Sequence, residues 1–326
     1  MYISCDTLDD LLKEVLGALI EKGRVSRASR GEFKELFGCC LHLKNPRARL
    51  SRSEGKGKVF SAIGELLWYL SGDTKLEFID YYVPARFQQE SDDGVHVRSG
   101  YGERLLSFQG INQLQNVIDL LRSRPTSRRA VVQLFDATDL EGQFASIPCT
   151  CTLQFLARDG LVNLFVVMRS NDAYIGLPHD VFAFTMLQEI VARSVGMDVG
   201  EYKHCAGSLH LYDGDTDAAS TYLNEGWQST ISMPSMPESD PWDEFRELQR
   251  IEVDLRAGRG VDVEEVLLNE YWRDLARLLR AYRAWRDRDL QSLCGLMNEM
   301  NSDVYKMFIQ ARIDRLSCWG STGEPR

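Results

Sequence analysis

The order of patterned segments predicts an α/β protein of the α+β kind that ends in a helical hairpin. Three observations carry this. Apolar residues recur at helical spacing in several separate segments, beginning with Leu8–Leu19. A central block of apolar runs is split by Asp159-Gly160, a strong β-hairpin signal. From Val263 onward the helical spacing returns with no strand pattern between its arms. A length of 326 residues allows one large domain or two ordinary ones at roughly 150 residues each. The change of character divides the chain into a main domain, 1–262, and a helical extension, 263–326.

Thr7, with Asp10 three residues on, precedes the apolar set Leu8, Leu11, Leu12, Val15, Leu16 and Leu19. That is a capped amphipathic helix, which Gly23 ends. Residues 25–31 read as a loop carrying Arg27 and Arg30, and 33–43 as a strand. The stretch 59–70 (VFSAIGELLWYL) is apolar on most faces, so it is a buried helix, with Glu65 as the exception. Residues 84–104 are polar and Gly-rich and read as a long functional loop. An amphipathic helix over 112–123 leads to strands over 130–135, 150–157 and 161–168. A helix over 179–195 and an extended segment over 202–212 follow, then a Pro-punctuated mixed region to 262. Leu267, Leu268, Trp272, Leu275, Leu278, Leu279, Tyr282 and Trp285 form one arm of the terminal hairpin. Leu290 to Phe308 form the other, with a break near 286–289.

Net charge is −10 and the pI is near 5.1, which disfavours a nucleic-acid polymer as partner but leaves room for a small phosphorylated ligand. No apolar run approaches the roughly 18–20 residues of a membrane span, and the acidic N-terminus is unlike a signal peptide. The expectation is a cytoplasmic protein with no membrane partner. Eight cysteines, at 5, 39, 40, 149, 151, 205, 294 and 318, lack zinc-site spacing, so no metal is expected and they read as thiols.

Several residues could carry chemistry, and each has a plainer reading. Cys149 follows a proline at the mouth of a strand: a positioned nucleophile, or a core cysteine. Arg128 and Arg129 could clamp a phosphate, or be a solvated pair. Asp180 could serve a site, or cap a helix. Glu65 could be an acid of raised pKa, or a buried ion partner. His204, His210 and Tyr212 share one extended segment, His210 and Tyr212 on one face, and each alone reads as satisfied structure.

Their order is more telling. Glu65-Leu-Leu-Trp68, Gly72-Asp73-Thr74, Tyr101-Gly102, Ser127-Arg128-Arg129, Pro148-Cys149, Gln154-Phe155, Arg169-Ser170-x-Asp172, Gly176-x-Pro178 and Gly207-x-x-His210-x-Tyr212 run in sequence. Over roughly residues 25–215 the chain resembles the thymidylate synthase superfamily. The resemblance implies a three-layer fold with a mixed β-sheet over 1–262, as the catalytic domain. It also implies a homodimer formed through the backs of two sheets, with shared active sites. Cys149 would add to C6 of a pyrimidine. Arg169 and Ser170 would hold the phosphate, with Arg128 and Arg129 from the partner and Arg27 from the N-terminal segment. His210 and Tyr212 would bind the sugar, Tyr101 would belong to the nucleotide site, and Glu65 would manage protons through water. Asp172, Trp68 and Gly176 would face the folate, 5,10-methylenetetrahydrofolate as co-substrate.

Asp180 departs from the synthases, which have Asn there. A carboxylate only accepts hydrogen bonds, so it suits cytosine N4–H and a protonated N3. With Cys149-Thr150, Arg-Ser-Asn171-Asp172 and Gly207-Ser208-Leu-His210, the chain is most similar to the family's deoxycytidylate hydroxymethylases, and it shows no synthase-like closing tail. The implied reaction hydroxymethylates C5 of a cytidine monophosphate. CMP is favoured over dCMP, because the Arg-rich composition, 29 Arg to 9 Lys, suits the GC-rich hosts of nucleoside antibiotic pathways. The alternatives are synthase-type methylation of dUMP or UMP, and an inactive member retained as a binding dimer.

Overall fold

A computed structural model describes residues 1–28, 31–51, 58–225, 231–267 and 269–322. Arg30 and Leu268 lie outside the described residues. The chain is a mixed α/β structure built on one seven-stranded sheet. Its strands are β1 (Tyr2–Cys5), β2 (Arg24–Ala28), β3 (Gly31–Leu43), β4 (Val131–Gln133), β5 (Thr150–Arg158), β6 (Leu161–Asp172) and β7 (Asp198–Tyr212). They lie in the order β1-β3-β7-β6-β5-β4, with β2 paired to β3. The pairs β1/β3 and β6/β7 are parallel and the rest antiparallel, so the sheet is mixed.

The helices of the N-terminal half are α1 (Leu8–Lys22), α2 (Val59–Ser71), α3 (Leu76–Tyr82), α4 (Tyr101–Leu106) and α5 (Gln113–Ser123). Then come α6 (Gly176–Ser194), α7 (Thr216–Asn224), α8 (Trp242–Arg256), α9 (Val263–Val266), α10 (Glu270–Arg286), α11 (Leu290–Glu299) and α12 (Lys306–Thr322). The α1 cap is as its sequence implies: the Thr7 side chain accepts from the Asp10 N–H at 3.1 Å. The helices α1 and α6 cover one face of the sheet, α6 lying on β6 and β7. Outside α6 lies α2, and α10 packs on α2 and α8. That gives three layers, with α6, buried along nearly its whole length, in the middle. The opposite sheet face carries Phe165, Val167 and Cys205, all half-buried. Phe37 of β3 is 88% exposed.

Two expectations need correction. Residues 24–28 form a strand, not a loop. All five side chains are exposed, so β2 has no alternating pattern to betray it, and its pairing with β3 is what makes it a strand. The second arm of the terminal hairpin is two helices, α11 and α12. The break falls at residues 301–302, whose backbone N–H groups donate to the buried Asp274 carboxylate of α10 at 3.0 and 2.8 Å. Those two bonds turn the chain before α12 begins. The break between α10 and α11 sits where the pattern put it, with Arg288 at φ 60° and Asp289 capping α11. The long loop over 84–104 gives way to α4 at Tyr101. Among the described residues no helix is long and apolar enough to cross a membrane.

Candidate active site

The C-terminal end of β6, the loop before β5, the buried face of α2 and the first turns of α6 enclose a cleft of about 670 Å³. That size accommodates a nucleotide and part of a second ligand. Eleven residues singled out in the sequence line it: Glu65, Trp68, Tyr101, Cys149, Arg169, Ser170, Asp172, Gly176, Asp180, His210 and Tyr212. Three do not. Arg27 is exposed on β2, beside the cleft-lining Ala28. Arg128 and Arg129 are exposed on the turn before β4.

Cys149 is half-buried and sits one residue before β5. Its loop is held by Arg169 of β6. The Arg169 guanidinium donates to the Pro148 carbonyl at 2.9 Å and the Ile147 carbonyl at 3.0 Å. Its backbone N–H donates to the Cys149 carbonyl at 2.9 Å. One side chain therefore places the thiol and keeps further N–H groups for an anion. Cys151 does not line the cleft, and burial raises its pKa. A register shift between Thr150 and Thr152 separates the two cysteines.

Glu65 is buried on α2, where Tyr69, one turn later, donates its hydroxyl to Oε1. The Tyr101 hydroxyl accepts from the Thr150 hydroxyl at 2.8 Å, next to Cys149. Its ring is stacked against Phe184 and tilted against Tyr69, with centroids 5.9 and 4.8 Å away. Burial raises the pKa of both tyrosines well above the ordinary value, so they stay neutral donors and acceptors.

Asp180 does not cap its helix. The helix begins at Gly176 with Ile175 as its N-cap residue and no side-chain cap, and the turn leading into it is held by Asp172, whose Oδ1 accepts from the Tyr174 and Ile175 N–H groups at 2.9 Å. Asp180 lies one turn inside α6 and is buried at the cleft wall. Its Oδ2 accepts from Asn171 Nδ2 at 2.7 Å. Burial, with nearby Glu65, pushes this carboxyl from 3.8 up to about 8. Gly176 leaves room beside that bond, since a Cβ there would meet Asn171 Nδ2 at 3.3 Å.

His210 packs edge-on against Phe33 and Tyr212, fixing both polar residues on the cleft rim. Trp68 is 1% exposed, and its Nε1 has no hydrogen-bond partner among the described residues. Sequence reasoning missed Tyr69, Arg86 and His179, which also line the cleft. The spacing of four from Glu65 to Tyr69 was a usable signal. Arg86 lies in the 84–104 segment read as a functional loop, but nothing in the pattern marked it within that segment. His179 is bonded through Nε2 to Ser61 and through Nδ1 to the Ile175 carbonyl, so it is chiefly a satisfied helix-start residue.

A half-buried thiol, a buried glutamate, a protonatable aspartate and an arginine-bearing rim in one cleft are the kind of group set that nucleophilic catalysis on a small anionic substrate requires. The chain belongs to the thymidylate synthase family, which it matches over residues 41–254. Family membership gives it folate-dependent one-carbon transfer to C5 of a pyrimidine nucleotide, with methylenetetrahydrofolate as the family's co-substrate. The match extends to residue 254, past the 25–215 span over which the motifs run in order, and begins after Arg27.

Proposed function

We propose that this chain hydroxymethylates C5 of cytosine in a cytidine monophosphate, CMP ahead of dCMP. The observation that carries the reading is Asp180: a carboxyl buried at the cleft wall that holds its proton to about pH 8. Cytosine N3 has a lone pair and N4 has N–H donors. A carboxylic acid can give its proton to the first and accept from the second. The expectation of an ionised aspartate facing a protonated N3 is thereby refined. The proton that N3 needs resides on Asp180 in the free protein and moves to the ring as C6 is attacked.

The steps balance as follows. Cys149 sulfur bonds to C6 while Asp180 protonates N3, leaving electron density at C5. C5 then bonds to the methylene carbon that the folate supplies. The C5 proton departs through water held near Glu65, whose Oε1 already accepts from Tyr69. Tetrahydrofolate would then leave, its nitrogen taking up the proton held by that water, and an exocyclic methylene would remain on the ring. Water adds to it, Cys149 is expelled, and Asp180 recovers its proton. CMP, the methylene carbon and one water become 5-hydroxymethyl-CMP and tetrahydrofolate.

The residues fit the folate. Trp68 presents an orphaned Nε1 and an aromatic wall with Phe87, ring centroids 5.5 Å apart. Asp172 has Oδ1 committed to the α6 turn, which leaves Oδ2 for a ligand N–H. Arg169 and Ser170 would bind the phosphate, and His210 and Tyr212 the sugar. Arg128 and Arg129 stand away from their own cleft, as they must if they serve a partner's in a homodimer. The open sheet face with Phe165, Val167 and Cys205 is the surface for that pairing.

The test is mass spectrometry of CMP, dCMP, UMP and dUMP after incubation with methylenetetrahydrofolate. Hydroxymethyl on cytosine is expected. Methyl on uracil would make the chain a synthase, and no product from any nucleotide would leave it a binding dimer.

A further inference from the structure

A neutral carboxylic acid does not by itself choose between pyrimidines. With its proton on the oxygen facing N3 it pairs with cytosine. With the proton on the other oxygen it pairs with uracil, whose N3 carries hydrogen and whose O4 accepts. Something must fix which oxygen of Asp180 holds the proton.

Behind Asp180 runs a chain of buried groups. Asn171 Nδ2 lies 2.7 Å from Asp180 Oδ2. Asn171 Oδ1 lies 3.0 Å from His204 Nε2. His204 Nδ1 lies 2.8 Å from the Tyr202 hydroxyl. Tyr202 and His204 are both wholly buried, Asn171 is 3% exposed, and burial keeps the His204 ring neutral. A neutral imidazole has one N–H, so the chain runs in one of two directions. If His204 carried its hydrogen on Nδ1, it would donate to Tyr202, whose own proton would then have no acceptor among the described residues. Buried donors without acceptors are costly, so the other direction holds. Tyr202 O–H donates to Nδ1, His204 Nε2–H donates to the Asn171 carbonyl, and the Asn171 amide donates to Asp180 Oδ2.

We propose that Tyr202 and His204 are positioning residues that, through Asn171, hold Asp180 Oδ2 as an acceptor, place the acid proton on Oδ1 toward the ring N3, and so make the site read cytosine. This rests on the cytosine reading above and supplies the reason for it. Neither residue touches the cleft; they act only through the orientation of one amide. For uracil to bind in the same place, Oδ2 would need the proton, and it would meet the Asn171 N–H head on. Turning the amide over would relieve that clash but would set its N–H against His204 Nε2–H.

The experiment has two readouts on the full chain. Long-range ¹⁵N–¹H NMR of the free protein, with five histidines to assign, reports the His204 tautomer directly. The Nε2–H form is expected, and the Nδ1–H form would overturn the proposal. Equilibrium binding of CMP and UMP is then compared across variants. His204→Leu removes the donor to Asn171 and should lower the CMP-over-UMP preference by roughly ten-fold or more. His204→Gln, whose amide nitrogen can replace Nε2, should hold the preference within about three-fold of the parent. Tyr202→Phe, nearly isosteric, should move it in the same direction as Leu, and it decides the matter if His204→Leu does not fold. Folded Leu and Phe variants with the parent's preference would overturn the proposal. A parent chain that prefers UMP would instead refute the cytosine reading itself, an outcome separate from the tautomer.

Discussion

Replacing Asp180 by Asn keeps the shape of the side chain and removes its titration. In the folded chain burial, then Glu65, pushes this carboxyl from 3.8 to about 8, against the opposing effects of the Asn171 bond and Arg86. The unfolded chain releases the same proton near 3.8. Between those values the folded state binds more protons than the unfolded, so stability falls as pH rises. The group's contribution is whole below about pH 4 and is lost as pH passes about 8. At about 1.4 kcal/mol per pH unit, going from pH 5 to pH 9 takes about 4 kcal/mol from the wild type through this one residue. Asp180→Asn carries none of that slope. Urea unfolding of both proteins at pH 5, 7 and 9 cancels every other titration in the difference. The variant should gain on the wild type steadily as pH rises. Parallel stability curves would show that Asp180 is ionised at its ordinary pKa, and the proton-delivery argument would fall.

Three further outcomes follow from contacts already described. Arg169→Lys should slow alkylation of Cys149 by iodoacetamide and weaken nucleotide binding together, because a lysine cannot span the Ile147 and Pro148 carbonyls. Binding loss with unchanged alkylation would confine Arg169 to the phosphate. Gly64→Ala places a Cβ 2.1 Å from the Tyr82 ring, so thermal melting should drop by an amount equivalent to about 1–3 kcal/mol. An unaltered melting temperature would mean that α2 and α3 are not packed this closely. Mixing Arg129→Ala chains with Cys149→Ala chains should restore activity, since each mixed dimer has one cleft free of both changes. Confirmed subunit exchange without recovery would place phosphate binding within one chain.

Much of the cleft could be read from one dimension because its parts recur in order along the chain. Buried helices also declared themselves, α1 by its cap and stripe and α2 by an apolar run broken at Glu65. What escaped were features made by pairing. The strand β2 has five exposed side chains and exists only because β3 lies beside it. The split after α11 depends on Asp274, 27 residues earlier, accepting from the turn. His204 looked like satisfied structure, and it is satisfied. Its importance appears only when parallel β6 and β7 bring it to Asn171, 33 residues away in the chain. The plain cap reading of Asp180 failed for a local reason, because the helix starts four residues earlier, at Gly176, after a turn held by Asp172.

The central claim is that Cys149 activates C5 of a cytosine nucleotide by adding to C6. It is tested most directly by release of tritium from [5-³H]CMP, with [5-³H]UMP and [5-³H]dUMP alongside. Exchange at C5 requires the C6 adduct and no product, so it isolates the nucleophile and the base from every later step. The account predicts release from CMP by the wild type, at least ten-fold less from either uracil nucleotide, and none from CMP by Cys149→Ala. Release from the uracil nucleotides alone, or release from CMP that survives loss of the thiol, would contradict it.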